Sequence, residues 1–236
     1  MRLTLMPQFN PTRLFLAAAL LLLPSAAIPA SAQFSAPPNS ANNFKDTSMI
    51  KPPAGARVAI YEFEDLECPA CSRAFPIVHA AIDKYKIPLV RHDFPLRMHV
   101  WSRDAAINAR YIQDKIDPKT AEDYRRAVFA SQTAIASKDD LQRFTQKFFQ
   151  SHGKAMPFVV DPTGQLAAEV NADFALGEKI GLTQTPTIFV VTPRNWVQVT
   201  DITLLYQTID SALAQTTAAA APTPNSKLKH PATAQK

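Results

Sequence analysis

The chain has 236 residues, with 25 Lys and Arg against 20 Asp and Glu, a formal charge of +5. The excess lies at the ends: without Arg2, Arg13, Lys227, Lys229 and Lys236, the stretch 33–214 carries 20 of each sign, so charge gives no ground for a nucleic-acid partner. Only five glycines occur, which excludes a Gly-rich phosphate-binding loop, and a mature chain of about 200 residues suits one domain with a real core.

Residues 1–32 read as a secretory signal peptide. Arg2 and Arg13 precede an unbroken apolar run over 14–23, Pro24 ends it, and Ala30, Ser31 and Ala32 offer small residues for cleavage before Gln33. A run of this length is well short of the roughly 20 residues a spanning helix needs, and no cysteine follows it for lipid attachment. The mature chain is therefore expected to be exported, into the periplasm of a diderm host, without stable membrane insertion. The segment 33–56, rich in Pro, Ser, Asn and Ala, reads as a flexible linker.

The first strand is expected over 57–63, a short apolar and β-branched run after a turn-like Pro and Gly segment. A helix follows from about Cys68 to Tyr85, with Phe75, Val78 and Ile82 at helical spacing, and 87–94 reads as a second strand. Strand, helix and strand in this order make a right-handed βαβ unit with a parallel pair. Residues 99–153 then read as a helical insertion in three pieces. Ala106, Ala109 and Ile112 mark the first, Asp117 and Pro118 open the second, and Ser137 caps a third that carries Leu141, Phe144 and Phe148 and stops near Gly153. Trp101 and the Phe144, Phe148 and Phe149 set read as its core, and His92, Asp93 and His99, at the exit of the second strand, as surface-loop residues, with a place at the border of the site as the alternative.

A helix from 161 or 165 to 180 stops at Gly181. Strands over 186–192 and 196–200 can hairpin across 193–195, a helix over 201–213 closes the fold, and 215–236 reads as a disordered tail. The class is α/β, a mixed sheet flanked by helices with an inserted helical subdomain, the main domain being 57–98 joined to 154–214.

Both cysteines of the chain, Cys68 and Cys71, stand in one C-x-x-C pair just after the first strand. Zinc would need two further ligands, and the histidines His79, His92, His99, His152 and His230 supply no second close pair. A structural disulfide across two residues restrains the unfolded chain little. A working dithiol is the remaining reading, with no metal and no cofactor beyond the pair itself. At a helix N-terminus unpaired N–H groups and the dipole favour a thiolate on Cys68, while Cys71 lies one turn on, more buried and within reach of a mixed disulfide. Cys68 is thus the expected nucleophile and Cys71 the resolving thiol, with Pro69 and Ala70 between them.

The sequence "CPAC" after a strand, Pro76 in the following helix, and "GLTQTPTIFV" before a later strand resemble the thioredoxin superfamily, and with the helical insert its DsbA-like branch of thiol-disulfide oxidoreductases, over about 57–213. The resemblance implies that Thr185 and Pro186 form a cis-proline loop facing the dithiol and that the Thr185 backbone pairs with an extended, cysteine-containing substrate. It also implies that Glu62 is a buried acid beneath the site. Val58, Ile60 and Glu62 share one strand face, so the carboxyl should lie among apolar groups, hold a raised pKa and exchange the proton of the resolving thiol. Glu64, Asp65 and Glu67 are expected to form an exposed acidic rim that disfavours the Cys68 thiolate.

One departure stands out. Where strongly oxidising members carry histidine between the proline and second cysteine, this chain has Ala70, which predicts a less depressed Cys68 pKa and a less oxidising pair. The expected function is that of a monomeric dithiol oxidase recycled by a redox partner. The alternatives are a disulfide reductase or isomerase, and, from another class, a module holding Cu(I) or a peptide through the dithiol, for which Met98 and His99 leave room.

Overall fold

A computed structural model describes residues 44–220, without the side chains of 218–220. The signal segment, residues 33–43 of the linker and the chain end therefore lie outside the described residues. A four-stranded sheet has the order β2-β1-β3-β4. The strands are β1 (Ala59–Glu64), β2 (Leu89–Asp93), β3 (Thr187–Val191) and β4 (Trp196–Val199), with β1 parallel to β2 and antiparallel to β3, and β3 antiparallel to β4. The sheet is mixed, as the alternation of strand and helix patterns implies.

Alternation along β1 divides the core in two. Val58 and Ile60 face α1 (Pro69–Tyr85) and α6 (Leu205–Ala220), packing with Val78, Ile188, Val190 and Ile209. Phe63 faces the other way, toward Phe94, Phe189 and Ile180 at the end of α5 (Gln165–Ile180). Gly181 at φ 95° ends α5 in the left-handed region, where a side chain would be strained.

The helices α2 (Ser102–Lys115), α3 (Pro118–Ala130) and α4 (Lys138–Ser151) fall within 99–153. Their boundaries come from capping: Asp117 accepts from the Thr120 N–H before the first-turn Pro118, and Ser137 accepts from the Asp140 N–H. Trp101, Tyr124, Leu141 and Phe149 form their core, and Leu66, Cys68, Cys71 and Phe75 belong to the same cluster. The dithiol therefore sits on the seam between the insert and the sheet domain.

Two expectations need correction. The described part of the linker, 44–56, is not a free tether: Phe44 packs edge-on against Phe189 and Trp196, Ile50 is buried, and the Lys45 N–H bonds the Ile180 carbonyl. Isolated apolar anchors in a polar stretch escape a reading based on average composition. At the other end, α6 continues over 215–220, which was expected to be tail. Alanine carries the highest helix propensity, and the Thr216 and Thr217 hydroxyls return hydrogen bonds to carbonyls of the preceding turn.

Candidate active site

Cys68 is the residue from which α1 springs, with extended backbone (φ −77°, ψ 120°), and Pro69 is its first helical residue. Both cysteines are free thiols. Across from them the Thr185–Pro186 peptide is cis, and Cys68 Sγ lies 3.3 Å from the Thr185 carbonyl oxygen. The structure thus brings Cys68, Cys71, Thr185 and Pro186 together. Pro76 sits inside α1, and Ala70 packs against the core of the insert.

The two sulfurs are driven apart electrostatically. The Cys68 thiol is lowered from 9.0 to about 5, first by donation from Cys71, then, against the opposing effect of burial, by the N–H groups of Cys71 and Ala70. The lowering arises with alanine rather than histidine at position 70. Burial pushes the Cys71 thiol well above its ordinary value, and the adjoining Cys68 sulfur adds to the effect.

The expected acidic rim does not exist. Glu64 and Asp65 are both 2% exposed, and each of the three acids is bonded within the protein. Glu64 ion-pairs with Arg91 at 3.1 Å and Arg125 at 2.7 Å. Asp65 accepts from the Glu67 and Leu96 N–H groups and from His99 Nδ1 at 2.7 Å. Glu67 accepts from the N–H groups of Trp101 and Ser102 at the start of α2, where the helix dipole welcomes a carboxylate. These carboxylates organise the loop rather than oppose the Cys68 thiolate.

His92 and Asp93 are likewise not surface-loop residues but belong to β2, while His99 lies in the following connection with its ring turned onto the buried Asp65. Asp93 is buried between Arg125 and Arg110, Arg110 continues to Asp173, and Asp173 takes His92 Nδ1 at 2.7 Å. This chain of charges links the sheet to α3, α2 and α5. Arg91 also pairs with Glu122 on α3, against which His79 rests. The signal that could have exposed the network is the period of β1: Glu64 lies two residues from Glu62 on the face already assigned to the core, and Arg91 stands opposite Glu62 in the register.

Glu62 is 1% exposed and its Oε2 has no hydrogen-bond partner. Burial pushes its carboxyl up to about 8, and the Glu64 charge adds to this while Arg91 opposes it. Glu62 makes no hydrogen bond to either sulfur; the carboxylate whose charge reaches Cys71 is Glu64. Met98 is exposed, and among the described residues no group of three or more His, Cys, Asp and Glu is placed to hold a metal. Nor is any helix among them long and apolar enough to cross a membrane.

The profile of the family described as Thioredoxin matches residues 46–194. No curated protein matches the chain significantly. Among solved structures, Pseudomonas aeruginosa DsbA2 is similar at 22% identity and a TM-score of 0.53, over 70% of this chain and 91% of that one. Proteus mirabilis ScsC in a transitional conformation is similar at 18% identity and 0.56, over 70% and 72%. A periplasmic thioredoxin-like protein from Salmonella enterica serovar Typhimurium gives 17% and 0.54, over 67% and 86%. At these identities the likeness is one of fold, and it includes the mixed sheet with its inserted helices.

Proposed function

The chain belongs to the thioredoxin family of thiol-disulfide oxidoreductases, and we propose that it is an exported, monomeric dithiol oxidase that passes the Cys68–Cys71 disulfide to cysteine-containing polypeptides. The observation that carries the direction is the contrast between the sulfurs. A Cys68 thiol lowered to about 5 is ionised at neutral pH, and a stabilised thiolate favours the reduced dithiol, so the oxidised form gives up its disulfide readily.

In the forward reaction a substrate thiolate attacks Cys68 Sγ. The bond to Cys71 breaks, its electron pair goes to Cys71 Sγ, and Cys71 takes a proton. A second substrate thiolate then attacks the substrate sulfur of the mixed disulfide and expels Cys68 as a thiolate. The substrate is oxidised by two electrons and the dithiol reduced by two, and an oxidising partner protein restores the disulfide. An extended substrate segment lies along Thr185 and pairs through its backbone, which makes recognition broad in sequence. Glu62, protonated at neutral pH by its raised pKa, stores the proton that Cys71 gains and loses, with Glu64 coupling the two. The reaction needs no cofactor beyond the dithiol. The signal pattern of residues 1–32 supports a periplasmic location.

Refolding of a reduced disulfide protein and reduction of insulin, run on the wild type and on Cys68→Ser, test this reading. An oxidase restores activity to the reduced substrate in a Cys68-dependent way. Strong insulin reduction without refolding would assign a reductase, and no thiol-dependent activity in either assay would overturn the oxidoreductase reading.

A further inference from the structure

Every peptide of the loop from Asp65 to Cys68 is held. The Asp65 carbonyl accepts from the Cys68 N–H at 3.0 Å, and Gln132, beyond α3, donates to the carbonyls of Leu66 and Cys68. The Asp65 N–H alone points at a reacting atom, Cys71 Sγ, 3.4 Å away. The direction of that N–H is set by the Asp65 side chain. Oδ1 takes the Glu67 N–H at 2.8 Å, and Oδ2 takes the Leu96 N–H and the His99 Nδ1–H, each at 2.7 Å. His99 is the one side chain in this set, reaching Asp65 from the β2 to α2 connection and remaining 18% exposed while the Asp65 carboxylate is fully buried.

Resting on the oxidoreductase reading above, we propose that the Asp65 main-chain N–H is the donor that stabilises Cys71 Sγ as it leaves the disulfide, and that His99 is the positioning residue that keeps this donor aimed. When a thiolate attacks Cys68 Sγ, the bond to Cys71 Sγ breaks and the negative charge appears on a sulfur buried among apolar groups, in the same cluster as Leu66, Phe75 and Trp101. Burial makes Cys71 a poor leaving thiol, and a fixed N–H aimed at the developing charge lowers that barrier at no cost in reorganisation. Without His99 a buried carboxylate loses one of its three donors, and the loop can turn toward water to recover it. The Asp65 N–H then swings from the sulfur. The Cys68 thiolate is unaffected, because its donors are the Cys71 thiol and the N–H groups of α1.

The test compares two rates in the purified mature chain: attack of reduced glutathione on the oxidised protein, and alkylation of Cys68 in the reduced protein by iodoacetamide. His99→Ala is expected to slow the glutathione reaction about tenfold while alkylation stays within about twofold. His99→Asn, whose amide nitrogen takes the place of Nδ1, should return the glutathione rate to within about threefold of wild type. Should the alanine variant fail to fold, His99→Asn against His99→Gln makes the same comparison, with the longer amide slow. A wild-type disulfide that reacts with glutathione, joined to a His99→Ala rate equal to it, overturns the inference and leaves the redox reading standing. A parallel fall of both rates that asparagine does not restore also overturns it, since that marks general loosening of the loop.

Discussion

Glutamine at position 62 should change how stability depends on pH. The wild-type carboxyl is pushed from 4.5 up to about 8 by burial. Between these values the folded chain holds a proton that the unfolded chain has released, so the wild type loses stability as pH rises through this window. At about 1.4 kcal/mol for each pH unit the full window amounts to at most ~5 kcal/mol. Because Glu62 shares the field of Glu64, Arg91 and Arg125, a range of about 2–5 kcal/mol is the working expectation. Other groups act differently. His79, lowered by burial, makes stability rise with pH just below 6.5, and Asp93 and Glu122, both lowered, act only as pH falls below the ordinary carboxylate range. These contributions are common to both chains and cancel in their difference.

The assay is urea unfolding of the oxidised wild type and of Glu62→Gln from pH 5 to 9, the disulfide taking both thiols out of the titration. Glutamine is the neutral isostere of the protonated acid. The two chains should match within about 1 kcal/mol at pH 5 and diverge in favour of glutamine by ~2–5 kcal/mol at pH 9. A difference that stays constant across the range would refute the buried, proton-holding Glu62.

Three further outcomes are expected. Alkylation of Cys68 in the reduced chain should reach half its maximal rate near pH 5, with Cys71 silent at neutral pH; a midpoint above about 7 would contradict the thiolate, and one below about 4 would remove any influence of Ala70. Arg125→Met removes one of the two cations from each of the buried carboxylates of Glu64 and Asp93, which Arg125 bonds at 2.7 and 2.9 Å, and leaves Arg91 and Arg110 as their remaining partners. Urea unfolding should show a loss of about 3–5 kcal/mol, and a loss under ~1 would show that the pair is not carrying the network. Gly177→Ala drives its new methyl group into the buried ring of Phe94. The expected thermal destabilisation is about 1–3 kcal/mol, and an unchanged unfolding midpoint would mean that Phe94 moves freely.

The sheet and most helices were legible because local signals and tertiary packing agree. Asp117 and Ser137 cap where their side chains predict, Gly181 stops α5, and the apolar spacing of Phe75 and Val78 faces the core. The dithiol was legible because two cysteines at that spacing after a strand allow few alternatives, and the facing cis-proline because the segment around Thr185 and Pro186 resembles that of the thioredoxin superfamily. What escaped was polar. Glu64, Asp65 and Glu67 look like a solvated run because their partners, Arg125, His99 and the start of α2, are about 34 to 61 residues away in sequence, and no local period announces a cation from another element. Phe44 and Ile50 escaped for the related reason that two anchors barely move the composition of their segment.

The charge chain through Glu64, Arg125, Asp93, Arg110 and Asp173 has a consequence for modularity. By chain order the helices α2 to α4 are an insertion, a piece that a designer would trade between relatives. By charge they are not separable: Arg110 and Arg125 come from the insert, while Glu64, Asp93 and Asp173 come from the domain that hosts it. A graft that carries the helices to a foreign sheet, or a foreign insert onto this one, cuts the pairs Arg125–Glu64, Arg125–Asp93, Arg110–Asp93, Arg110–Asp173 and Arg91–Glu122 and removes partners from buried ions on both sides. Exchange of the insert therefore requires exchange of its sheet-side ion partners, Glu64, Arg91, Asp93 and Asp173, with it.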